Sequence, residues 1–230
     1  MPRYGLAVKE FNGTAFFRSV LQEWGLQVMR YSEFHRDGDA GEAWDVCFSY
    51  KERPNVGILA SAASRAGGIS LVEYESSRRG RNWARGDLFF SDQKVGYEAE
   101  VKLARVNSNM QASRDALYDV VVPSLNEAVK AARNLNRNSD YRLGITFVVP
   151  RVVRDQNESL NSASDRAFGF YQSLLGEIRS ELYERNRVHF MSWVAPECSR
   201  QFWLKEGDGK VHYPGIMLIG RFLRLPNRDD

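Results

Sequence analysis

Arg85-Gly86-Asp87-Leu88-Phe89-Phe90-Ser91-Asp92-Gln93-Lys94-Val95-Gly96-Tyr97-Glu98-Ala99-Glu100-Val101-Lys102-Leu103 is the stretch on which the fold of this 230-residue chain turns. It reads as two strands joined by a turn, with Leu88 to Phe90 apolar, Ser91 to Lys94 supplying turn chemistry, and Tyr97 to Leu103 alternating at a period of two. In the second strand Tyr97, Ala99, Val101 and Leu103 point one way, so Glu98, Glu100 and Lys102 share the other face.

A hairpin of this kind brings Asp87 beside Glu100, and two carboxylates held close together repel unless a cation sits between them. A hard divalent ion suits such oxygen donors. Lys102, two residues along the same face, places an ammonium near that ion, where it serves a phosphate oxygen or an attacking water. An Asp followed by Glu-x-Lys on the neighbouring strand is therefore an arrangement for cutting a phosphodiester. A lone Glu-x-Lys is expected by chance about once per 200 residues at ordinary frequencies. Here it is the one such triplet in the chain, and it falls inside an alternating strand preceded by a strand that starts with an acid. The plain alternative is a solvated strand face whose Glu–Lys pair contributes at most a few tenths of a kcal/mol.

Gly86-Asp87 followed by Glu100-Val101-Lys102 resembles the PD-(D/E)xK nuclease superfamily, which includes restriction endonucleases, repair exonucleases and CRISPR-associated nucleases; Gly86 stands where the family has proline. The resemblance covers residues 50 to 150. It implies a restriction-endonuclease-like α/β sandwich with a mixed central β-sheet flanked by helices, the core being a helix, three strands, a helix and a further strand. It also implies a Mg²⁺-dependent deoxyribonuclease, an endonuclease, with Mn²⁺ as the alternative ion. Asp87 and Glu100 are then the metal ligands, the Val101 carbonyl completes the shell, and Lys102 assists the attacking water. Glu52, on the helix ahead of the first core strand, is a further candidate ligand; complementing the helix dipole is its ordinary role. DNA is the expected partner, although these residues do not choose between DNA and RNA. The competing reading is a nuclease-fold protein without turnover that binds nucleic acid or another protein.

Outward from this stretch, Ile69 to Glu75 reads as the first core strand, with Glu73 and Glu75 on one face. Ser76 to Arg85 reads as a loop in which Arg78, Arg79, Arg81, Trp83 and Arg85 form a nucleic-acid clamp, arginines neutralising phosphates and the indole stacking on a base. Phe16, Phe17, Val20, Leu21 and Trp24 predict a helix from Thr14, and Val56, Leu59, Ala60 and Ala63 a second one entered at Pro54. A long helix is expected from Gln111 to Leu135, bent at Pro123, with Arg114 near its start placed to meet a phosphate. Leu143 to Val149 is a continuous apolar run, which predicts a central strand. A further helix from Ser164 to Arg185 and a strand from Val188 to Val194 follow. Gln201 to Leu225 reads as a hairpin turning at Gly207-Asp208-Gly209, whose last strand covers its own sheet or pairs with a second copy as a homodimer.

The expected organisation is one domain, with residues 1–50 a helical extension packed on the core and 51–230 the nuclease-like domain. A net charge of +3 permits a polyanionic partner. Cys47 and Cys198 form no metal-ligand spacing or disulfide framework, which fits a reducing cytoplasm. No apolar run reaches the length of a membrane span, no Gly-rich phosphate loop is present, and His35, His189 and His212 are scattered, so triphosphatase and histidine-based nucleophilic chemistry find no support.

Overall fold

The computed structural model describes residues 4–9, 14–35, 45–78, 81–108, 113–135, 139–206 and 209–224, without the side chains of 75–78, 81–85, 200–201 and 224. Strand β3 (Arg81–Ser91) runs antiparallel to both β2 (Ile69–Arg78) and β4 (Gly96–Asn107), and β4 pairs in parallel with β5 (Tyr141–Val153). Asp92 closes the β3–β4 turn: its Oδ1 accepts from the backbone N–H of Lys94 at 3.1 Å and of Val95 at 2.9 Å. A parallel pair needs a crossover, and here it consists of helices α3 (Ser113–Ala116) and α4 (Val122–Ala132) with a π-helical turn, Leu117–Val121, between them. Pro123 follows the π-helical turn and the backbone stays helical through it, with Val122 N–H donating to the Leu117 carbonyl, so the expected single helix continues with a π bulge just ahead of the proline.

Nine strands are present among the described residues, in the order β1 (Tyr4–Val8), β6 (Phe190–Val194), β9 (Ile216–Arg224), β5, β4, β3, β2, with β8 (Gly209–His212) joining β7 (Trp203–Glu206) to the end of β5. The result is an α/β protein with a mixed central sheet. Along β4 the alternation is as expected: Tyr97, Ala99 and Val101 enter one core, and Ala104 and Val106 enter the other. The first core is aromatic, built with Phe17, Val20 and Trp24 of α1 (Thr14–Phe34) and Val56 and Leu59 of α2 (Glu52–Arg65). The second is mainly aliphatic, built with Leu125 and Val129 of α4, Leu174 of α5 (Leu160–Glu177), and Ile178 and Leu182 of the π-helical segment Ile178–Glu184 that continues it. Gly144 of β5 allows α4 to lie on the sheet, because a Cβ there would come within 2.6 Å of the Val129 backbone nitrogen.

Four expectations are corrected. Residues 1–50 are not an extension: β1 is a strand of the same sheet, paired with β6, and α1 supplies the centre of the first core. The stretch read as a loop after Glu75 is two strand arms, with Ser76 opposite Ala84 and Arg78 opposite Arg81, because backbone pairing between β2 and β3 continues past the apolar residues. The C-terminal hairpin consists of β7 and β8 alone, paired from Trp203–His212 to Glu206–Gly209. Finally, β9 is inserted between β5 and β6 and hydrogen-bonded to both, which leaves it no open edge for a second copy. No described helix is long and apolar enough to cross a membrane, and both cysteines are free.

Candidate functional site at the open edge of β4

The β3–β4 ladder runs from Ser91–Gly96 to Leu88–Ala99 and ends there, while upstream of Leu88 β3 continues its pairing with β2. From Val101 onward β4 therefore has no strand on that side. Alternate residues of a strand present their N–H and C=O groups to the same edge, so Val101, Leu103 and Arg105 face this gap. Buried backbone donors need partners, and side chains supply them. Asp87 Oδ2 accepts from Val101 N–H at 2.8 Å. The Glu52 carboxylate, from the first residue of α2, accepts from the backbone of Leu103. The Arg105 guanidinium donates to the carbonyls of Ser49 and Tyr50 at 2.8 and 3.1 Å, which ties the segment leading into α2 to the same edge.

The Val101 carbonyl opens on this edge too, and it accepts from Lys102 Nζ at 3.0 Å. Glu52, Asp87, Val101 and Lys102 thus meet around two residues of backbone. Burial raises the Glu52 pKa; the Lys102 ammonium lowers it again, and the Asp87 charge adds to the rise. Glu100 is only 3 % exposed, as is Glu98, so two carboxylates of the strand lie almost wholly inside. Burial holds the Glu98 carboxyl above its usual range, with Ser139, Tyr74 and Arg142 opposing the shift.

Two residues of β2 complete the surroundings. Glu73 falls between the pairs Val72–Leu88 and Tyr74–Gly86, opposite Asp87 by count, yet the ladder is broken at that point. Its φ is 51°, in the left-handed region that costs a non-glycine residue about 1 kcal/mol or more, and its carboxylate is held by Arg53 of α2 at 2.7 Å. Tyr74 follows. Burial first, then the charges of Glu98, Glu100 and Asp87 hold its phenol far above the usual tyrosine pKa. The approach of Tyr74 to Glu98 falls short of a well-formed hydrogen bond, since Tyr74 Oη and Glu98 Oε2 are both buried without one.

The sequence reading named Asp87, Val101, Lys102 and Glu52, and the fold brings these four together. Glu100 precedes Val101 on the same strand, and its charge and that of Asp87 both act on Tyr74. Arg114 is not with them: it is exposed on α3, past the end of β4, where the Ser113 hydroxyl meets that of Ser173 on α5 at 2.8 Å. Arg79 lies outside the described residues, as do the side chains of Arg78, Arg81, Trp83 and Arg85, whose backbones form the arms of the β2–β3 hairpin. Tyr74 and Arg105 went unread because nothing in their sequence neighbourhood announces a strand leaving its ladder.

The donors suit a hard cation: two carboxylates, a strand carbonyl and a third carboxylate at the margin. Among the described residues no three Asp, Glu, His or Cys side chains are grouped to hold an ion by themselves. No family model, curated protein or solved structure matches this chain.

Proposed function

We propose that the protein is a metal-dependent nuclease that hydrolyses phosphodiester bonds of DNA at the open edge of β4, on a restriction-endonuclease-like core. The observation that carries this reading is the convergence of Asp87 and Lys102 on the backbone of one residue, Val101, whose N–H the first accepts and whose carbonyl the second donates to. The element order adds support: helix α2, three antiparallel strands, helix α4 and the parallel strand β5 follow the order of the nuclease core.

Asp87, Glu100 and the Val101 carbonyl would hold Mg²⁺ or Mn²⁺, with Glu52 at the margin, and the ion would supply positive charge to a scissile phosphate. The protein's own contributions are positional. The hydrogen bond from Val101 N–H fixes the Asp87 carboxylate, and Leu103 N–H fixes that of Glu52, so neither has to be ordered when a substrate arrives. Lys102 keeps a charged donor at the Val101 carbonyl, from which it serves the attacking water or a non-bridging phosphate oxygen. The arginine-rich arms of the β2–β3 hairpin start directly before Asp87 and provide the sequence-independent attraction for a phosphate backbone.

The test is cleavage of linear and circular DNA with and without Mg²⁺. Wild-type protein should cut only with the metal, and Lys102→Ala should lose about 10²–10⁴-fold of that rate while its DNA affinity is kept. DNA binding by wild type without cleavage in Mg²⁺ or Mn²⁺ would make the chain a binding module on a nuclease-like frame.

A further inference from the structure

The rim of the sheet where β1 ends and β6 begins carries a second group of charged side chains, away from the open edge of β4. Backbone pairing sets them in a row. Lys9 N–H donates to the His189 carbonyl at 2.9 Å and His189 N–H to that of Gly220 at 2.8 Å, so Lys9, His189 and Arg221 are successive neighbours across three strands. Arg221 stands on β9 between Ile219 and Leu223, which both pack on the second core, and therefore projects to that face. Lys9 reaches the same face: its ammonium lies 5.0 Å from the centre of the Tyr183 ring and donates to the Asn186 side chain. His189 Nδ1 accepts from Phe222 N–H at 3.2 Å, which leaves the proton of the neutral ring on Nε2 as a donor. Arg221 is the telling member. Its Nε is shut off from solvent without an acceptor, and among the described residues none accepts from its guanidinium or pairs with it. On its other side it meets Gly144 of β5, which has no side chain to offer. The acids of the neighbouring helical segment are held elsewhere, Glu181 by Tyr118 at 2.9 Å and Arg185 at 3.2 Å, and Glu184 by Arg179 at 3.7 Å.

We propose that Arg221, His189 and Lys9 form a binding site for a phosphate monoester, as inorganic phosphate or as the terminal phosphate of a nucleotide chain. A part-buried guanidinium without an acceptor is costly to the folded protein, and an anion that supplies the acceptors removes the cost. Charge selects the monoester. Two cations face it, and a phosphate monoester carries about −1.5 to −2 at neutral pH, whereas a backbone diester carries a single charge. The donors match as well: the planar guanidinium takes two oxygens side by side, and Nε2–H of His189 and the Lys9 ammonium serve the rest. Burial first, then the charges of Arg221 and Lys9, hold His189 below its usual pKa, so its ring stays a neutral donor. The site is separate from the candidate metal site, and its test is read whether or not the protein cuts DNA.

The experiment is calorimetric titration of inorganic phosphate, without Mg²⁺, into wild type, Arg221→Met, Lys9→Met and Arg179→Gln, with melting temperatures measured in parallel. Wild type should bind phosphate and melt higher in its presence. Arg221→Met, which keeps an unbranched apolar stem, should lose about 10–100-fold in affinity and its melting temperature should no longer respond to phosphate. Lys9→Met, at the more open end of the row, should show a smaller fall and carries the same test should Arg221→Met not fold. Arg179→Gln removes an exposed arginine outside the row and should bind as wild type does. A 5′-phosphorylated oligonucleotide compared with its unphosphorylated twin then separates the sources: a preference for the phosphorylated end that disappears in Arg221→Met identifies a terminal phosphate, and phosphate binding without that preference identifies the small free anion. A wild type indifferent to inorganic phosphate in heat and in melting temperature overturns the site, as does equal phosphate affinity in wild type, Arg221→Met and Lys9→Met.

Discussion

Adjacent strands β4 and β5 meet the same need in opposite ways. From Leu143 to Val148, β5 is flanked by β4 on one edge and β9 on the other, so strands satisfy its backbone from both sides and its side chains are free to be apolar. Beyond Ala99, β4 keeps β5 on one edge and loses β3 on the other. There Asp87 and Glu52 stand in for the missing strand, and Arg105 of β4 ties the segment before α2 to that edge. The difference teaches how a sheet acquires a polar site without leaving buried donors unmet: the groups that finish the hydrogen-bonding are themselves charged, and they gather where the ladder stops.

The comparison breaks most visibly in chemistry. Lys102→Ala should reduce Mg²⁺-dependent cleavage by about 10²–10⁴-fold with an unchanged melting temperature, whereas no polar substitution in β5 is needed to explain turnover. Stability should show the reverse. Phe147 of β5 is fully buried against Trp24, with ring centroids 6.1 Å apart. Phe147→Ala should therefore cost about 3–5 kcal/mol in urea unfolding. Asp87→Ala removes a half-buried side chain but leaves the Val101 N–H without its acceptor, and should cost about 1–2 kcal/mol. Asp87→Asn retains an acceptor oxygen and should unfold close to wild type.

The smallest effect sharpens the electrostatics. Burial raises the folded-state pKa of Glu98 above the ordinary 4.5 of an unfolded chain. A raised carboxyl pKa means that the folded form prefers the proton: the destabilising contribution is absent below pH 4.5, grows as pH rises, and is complete above the folded pKa. Glu98→Gln should accordingly stabilise the protein at pH 8 and lose that advantage at pH 4, as read from urea midpoints at the two values. An advantage of equal size at both would show that the gain comes from packing and not from charge.

Much of this was legible locally. The two-residue period from Tyr97 to Leu103 placed the acids and Lys102 on one face, and the apolar run at Leu143 correctly predicted a strand inside the sheet. Phe17, Val20, Leu21 and Trp24 gave the buried stripe of α1. Long-range pairing was not legible. Tyr4 to Val8 is short and half-buried, and it becomes a strand only because β6 offers an edge. The apolar segment at Ile216 resembles the second half of a hairpin, and only the chain's return between β5 and β6 makes it central. The same limit applied to the site. Asp87, Glu52 and Lys102 carry recognisable chemistry in the sequence, but the places of Tyr74 and Arg105 depend on where β3 parts from β4.

Asp87→Asn separates structure from charge most directly, because the amide still accepts from Val101 N–H while the negative charge at the open edge is gone. In a Mg²⁺ titration followed by calorimetry, wild type should bind the ion and Asp87→Asn should not, with both proteins melting at nearly the same temperature. Equal binding by the two, or binding by neither, would contradict a divalent-metal site at the edge of β4.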